Sequence, residues 1–127
     1  PDSISTDLHM GNIHGCVHSM LDTMSKCLSM GMPLSEVIYR STVTPAKAIH
    51  RPALGTLSLG AEADVAVLQR LEGNFSFRDC GWARNQGREK LECLPGKLNN
   101  ASHCNPSSAL RRSGGRSYKS TTTKTWW

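Results

Sequence analysis

Between Val17 and Met30, apolar side chains recur at Val17, Met20, Leu21, Met24, Cys27 and Leu28, the three- and four-residue spacing of one helix face, and Gly31 stands where a helix ends. A second helix is predicted from Pro33 to about Ser41, with Leu34, Val37 and Ile38 on one face and Glu36 early enough to favour the helix dipole. Thr44 to Ile49 reads as a short third helix, its Thr44 hydroxyl capping free amides and Pro45 in the first turn, stopped by Arg51-Pro52. Leu54 to Leu68 then gives an extended piece, a glycine-flanked turn and a strand, with Val65, Val67 and Leu68 as its buried residues. Ile4-Ser5-Thr6 has the β-propensity of a strand end and runs into a loop ending at Gly15. Phe75, Phe77 and Trp82 suggest one more hairpin, interrupted by glycines and charges. From Leu94 onward apolar residues all but vanish until Trp126-Trp127, the composition of a disordered tail.

The chain of 127 residues is long enough for one domain, and no apolar run approaches the roughly 20 residues of a membrane span. Up to Glu72 five Lys/Arg face seven Asp/Glu; from Gly73 onward ten face three. The sign change points to two segments of different character, so the overall net charge of +5 does not describe one surface. Five cysteines at irregular spacing suit free thiols in a reducing compartment, and with no visible signal peptide the expectation is a cytoplasmic protein.

An acid that closes a short β-branched strand is where barrel enzymes present chemistry, and Asp7 holds that position in Ile4-Ser5-Thr6-Asp7-Leu8-His9. Helix sequences Met24 to Lys26, Gly31 to Ile38 and Thr44 to Ile49 follow, and then Leu54-Gly55-Thr56-Leu57, Gly60 and Asp64-Val65-Ala66-Val67. In order and spacing these three pieces resemble the C-terminal part of the amidohydrolase superfamily, in particular its metal-dependent deacetylases and dihydroorotase-like members. The resemblance runs from Asp2 to about Cys93.

That resemblance implies an α/β chain: the last strand and following helices of a (β/α)8 TIM barrel over residues 1–53, the start of a C-terminal β-sandwich over 54–93, and a divergent basic tail over 94–127. It implies a parent hydrolase of non-peptide carbon–nitrogen bonds, such as a deacetylase, with a small-molecule amide substrate and a divalent metal, most often zinc, that activates water. Asp7 would be both the catalytic proton carrier and a metal ligand. The other ligands of such enzymes, beginning with a His-x-His pair on the first strand, are absent here, and His9, His14 and His18 do not stand in ligand positions. The expectation is a C-terminal fragment, an incomplete domain inactive on its own and without a cofactor of its own, whose helix faces dock onto the missing barrel.

Thr44, His50, Ala53 and Cys16 stand where the family would show Asn, Gly, an acid and Pro, and His50 at a helix end that favours Gly is expected to sit at a strained φ. The rival reading is a small basic module whose tail, with scattered Arg and Lys, Tyr118 and two tryptophans, engages nucleic acid or another polyanion. Composition alone favours that reading less.

Overall fold

The computed structural model describes residues 1–94, apart from 14 and 63, and the backbone of residues 124 and 125. Helix α1 spans Met20–Ser29; Ser19 is its N-cap, accepting the Asp22 amide at 3.1 Å. It ends in a Schellman motif, with Gly31 at φ 92 donating to Leu28 O and Met32 donating to Cys27 O. Helix α2 covers Leu34–Ser41 and helix α3 Val43–Ala48, separated by Thr42 alone. Strands β1, Leu68–Arg78, and β2, Arg84–Cys93, form an antiparallel hairpin that pairs Leu68 with Cys93 and Arg78 with Arg84, its register shifting between Glu72 and Phe75. A two-residue strand β3, Lys124–Thr125, pairs with the start of β1, giving the sheet order β2-β1-β3.

One core joins the helices to the sheet. Ile4, Met24, Val37, Ile38, Leu68 and Leu91 are buried together, with Met20, Leu21, Cys27 and Leu28 packed against them. Helix α1 lies on β2 at short range: a Cβ on Gly87 would stand 2.6 Å from the Phe77 ring and 2.8 Å from Ser29 Cβ. Its fully buried Ser25 ties the two elements together, donating to Leu21 O at 2.6 Å and accepting the Leu91 amide of β2 at 2.9 Å. Because β2 stands at an edge of the sheet among the described residues, this hydroxyl satisfies a backbone donor that no further described strand covers.

Gly55 lets the chain fold back from α3. Its φ is 68, and a Cβ there would lie 2.5 Å from Thr42 O, so both its conformation and the available space exclude a side chain.

Four expectations are corrected. Ile4-Ser5-Thr6 forms no strand among the described residues; this stretch is tied to α2 instead, through Ile4 N–H donating to Arg40 O at 2.8 Å. The strand expected at Val65 begins at Leu68, and Val65 and Val67 are half-buried but precede the ladder. Thr44 does not cap α3: its hydroxyl donates back to Arg40 O at 3.2 Å, because α3 follows α2 so closely that Thr44 already lies inside the helix. Cys16, Cys27 and Cys80 are free thiols as expected, but Cys93 is disulfide-bonded. The strained helix end, by contrast, is where it was expected: His50 has φ 58. It occupies the C′ site of a second Schellman motif, with His50 N–H donating to Lys47 O and Arg51 N–H to Ala46 O. Of the tail expected to be disordered, Leu94 and the backbone of Lys124–Thr125 are described, the latter paired with β1 as β3, and the rest lies outside the described residues. No helix among the described residues is long and apolar enough to cross a membrane.

Candidate functional site

Asp7 lies in the irregular lead-in between the buried Ile4 and the turn that begins at His9. Its side chain is exposed, and its backbone takes the left-handed region at φ 46, where Asp is tolerated better than most residues. Two side chains hold its carbonyl oxygen: His9 Nδ1 and Asn12 Nδ2, each at 2.7 Å. Asn12 is itself oriented, because its Oδ1 accepts the His9 amide at 2.9 Å. The loop continues as a tight double turn, with the Asn12 and Ile13 amides donating to His9 O and the Gly15 amide to Asn12 O. These contacts engage the backbone of Asp7 and leave its carboxylate turned out, with no hydrogen bond or ion pair among the described residues.

The far end of this loop touches the hairpin. Trp82 lies over Gly15, its ring 3.2 Å from where a Cβ would stand. Its own position, at φ 66, is set by the hairpin tip: Trp82 N–H donates to Asp79 O, the Ala83 amide to Asp79 Oδ1 at 2.9 Å, and the Arg78 guanidinium sits 5.6 Å from the ring centroid. An Asp7 loop and a hairpin tip that are far apart in sequence therefore meet.

A metal ion is what the resemblance implies beside Asp7, and a catalytic zinc takes about three protein ligands. Among the described residues no three His, Cys, Asp or Glu side chains come together to hold one. His9 is adjacent but has committed Nδ1 to a carbonyl, His18 is exposed at the approach to α1, and the reading of His14 lies outside the described residues. The residues present do not fit a metal by themselves. One acid with an open carboxylate can accept a proton or supply a single ligand, and nothing more.

Away from Asp7, an open apolar groove of about 890 Å³ runs between α1, α2 and the chain from Gly55 to Leu68, lined by Met20, Leu21, Ile38, Tyr39, Leu57 and Leu68 among others. Sequence reasoning found the helix faces that form it, but not the locking of Asp7 by His9 and Asn12. The signal was the polar trio Asp7, His9 and Asn12, close enough in sequence to close on itself in a turn. The side chains of the basic tail proposed to engage polyanions, Tyr118 and the two tryptophans included, lie outside the described residues.

No protein-family model matches the chain. It is 37% identical over 79 residues to a deacetylase of Brucella anthropi, covering 62% of this chain and 20% of that protein. It is 36% identical over 78 residues to adenine deaminase 2 of Oenococcus oeni, covering 61% of this chain and 12% of that protein. In three dimensions it matches the crystal structure of an adenine deaminase with a TM-score of 0.68 at 27% identity, over 72% of this chain and 25% of that one. The chain thus spans about a fifth or less of the length of these curated relatives. Together the deacetylase and adenine deaminase matches support a metal-dependent amidohydrolase-type family for this chain, at partial coverage.

Proposed function

We propose that the chain is the C-terminal portion of a hydrolase that cleaves non-peptide carbon–nitrogen bonds of small molecules, by deacetylation or by the related removal of an amino group from a purine. The observation that carries this reading is Asp7: in a chain that matches deacetylases and an adenine deaminase over part of its length, one acid is held by its backbone with its carboxylate open. In the assembled enzyme a divalent metal, zinc on the family's pattern, would supply an activated water. Asp7 would contact that centre and carry a proton to the leaving nitrogen. The remaining ligands would come from polypeptide other than the described residues, so the chain alone is inactive.

The same reading gives residues 1–53 to the end of a barrel and 54–93 to a β-sandwich segment. It also gives the apolar groove an occupant, the rest of the hydrolase. In support, the matched adenine deaminase contains a further three quarters of chain that this one does not cover, and the groove is lined by the helix faces whose spacing calls for a packing partner. A cytoplasmic setting fits the free thiols at Cys16, Cys27 and Cys80, though not the disulfide at Cys93.

The test has two parts. The purified 127-residue chain, given zinc, should retain no stoichiometric ion and release no acetate from N-acetyl compounds or ammonia from adenine. Co-expressed with the complementary four fifths of the Brucella anthropi deacetylase, it should co-purify and restore hydrolysis, and Asp7→Asn should abolish that restoration. Hydrolysis by the chain alone, or restoration that survives Asp7→Asn, would refute the proposal.

A further inference from the structure

We propose that His9, Asn12 and Trp82 are positioning residues that present Asp7, a role that rests on the proposed catalytic part of that acid. A left-handed backbone is disfavoured for an L-residue, though less so for Asp, so the turn at Asp7 must be held by contacts. A carbonyl oxygen offers two lone pairs, and both directions at Asp7 O are taken, one by the imidazole and one by the carboxamide. Since a carbonyl only accepts, His9 must carry its proton on Nδ1, and its Nε2 holds a lone pair whenever the ring is neutral. That ring is seated over Gly11, where a Cβ would stand 3.0 Å from Nε2.

The two donors are mutually oriented. Asn12 Oδ1 accepts the His9 amide, which fixes which end of the carboxamide faces Asp7 O. From Asn12 the loop passes to Gly15, where the Trp82 ring closes over it. Trp82 is 62% exposed, yet Arg78 and Asp79 hold it in place. An aromatic ring left this open at a hairpin tip contributes little to the core; its contact is with the loop that carries the acid. The loop is therefore secured at both ends: by its own side chains beside Asp7 and by the hairpin at Gly15. Among the described residues the Asp7 carboxylate makes no hydrogen bond or ion pair.

The experiment uses the full 127-residue chain and needs no activity for its first two readouts. Imidazole nitrogen NMR should show neutral His9 as the Nδ1–H tautomer. Backbone hydrogen exchange over residues 7–16 should accelerate about tenfold or more in Asn12→Ala and in Trp82→Ala, be largely recovered in Trp82→Phe, and leave α1 and the hairpin ladder unchanged. The third readout is made in the complex with the complementary deacetylase portion, where Asn12→Ala should lower kcat with little change in KM, which a purely structural role would not do. An Nε2–H tautomer, unaltered exchange over 7–16, or an active complex whose kcat is indifferent to Asn12→Ala would overturn the inference. A wild-type complex without activity overturns the proposed function, and the positioning role with it, whatever the first two readouts show; an active wild-type complex with an unaffected variant overturns the positioning role alone.

Discussion

Replacing Ser25 with Ala removes one oxygen from a site with no solvent access, and the consequence can be worked through. The Leu91 amide on edge strand β2 loses its acceptor, and water cannot reach it because Ser25 is fully buried between α1 and β2. Stranding a buried N–H costs about 1–3 kcal/mol. The lost bond to Leu21 O matters less, since that carbonyl keeps its helical partner, and Ala is the better helix former by about 0.5 kcal/mol. The net destabilisation is about 1–2 kcal/mol, which for a folded part of this size lowers the melting temperature by about 5–15 °C. Ser29 is the matched control: its hydroxyl donates only to Lys26 O within the same helix, so Ser29→Ala should cost under about 0.5 kcal/mol. Thermal unfolding followed by circular dichroism, with hydrogen exchange at the Leu91 amide, measures both. If Ser25→Ala and Ser29→Ala melt together and Leu91 keeps its protection, the hydroxyl does not join helix to sheet and the reasoning fails.

Three further outcomes follow from backbone and burial. His50→Gly should stabilise the chain by about 0.5–1 kcal/mol, because the C′ site of the α3 Schellman motif holds φ at 58; urea unfolding checks it, and a midpoint unchanged or lowered counts against the strain. Gly55→Ala should destabilise by about 2 kcal/mol or more, since the new Cβ meets Thr42 O at 2.5 Å and φ is already left-handed; a wild-type midpoint would show that the chain reversal can relax. Thiol labelling should modify exposed Cys80 first. Burial raises the Cys27 pKa above that of an ordinary thiol, so its reactive thiolate fraction, and its labelling rate, should still be climbing at pH values where an ordinary thiol has levelled off; a rate profile with the midpoint of an ordinary thiol would contradict the burial.

The helices were legible because burial imposes their period: Met24 and Val37 sit on the faces their spacing assigns and are buried there. Helix ends were legible where a single backbone requirement rules, as at Gly31 and His50. The start of β1 was not. Alternation at Val65 and Val67 reports which side of the chain is covered, whereas a ladder needs a neighbour, and among the described residues β2 pairs back to Leu68 with one further bond, from Leu94 N–H to Val67 O. Ser25 falls on the stripe of Leu21 and Leu28, and a hydroxyl on an apolar face is the mark of a buried donor elsewhere, here the Leu91 amide. Asp7 was marked out by a strand end that Ile4-Ser5-Thr6 does not form. Its left-handed backbone was not legible, because that depends on two side chains that come into reach only once the turn has formed.

These elements separate stability from chemistry in a way that can be used. The contacts that hold the fold, from Ser25 to Leu91 and through the Met24, Val37 and Leu68 core, lie within the described residues and close on themselves. The chemistry does not close: a single carboxylate stands open, and the donors that would surround it are not among those residues. A destabilising change at Ser25 should therefore affect assembly with the complementary portion of a hydrolase only through the fraction of chain that is folded, and be offset by raising the chain concentration. A change at Asn12 should leave that fraction untouched and resist the same remedy, because what it alters is the direction in which Asp7 points. Measuring restored activity against chain concentration for Ser25→Ala and Asn12→Ala side by side distinguishes the two. If both variants reach the wild-type plateau at high concentration, the loop around Asp7 contributes to folding alone.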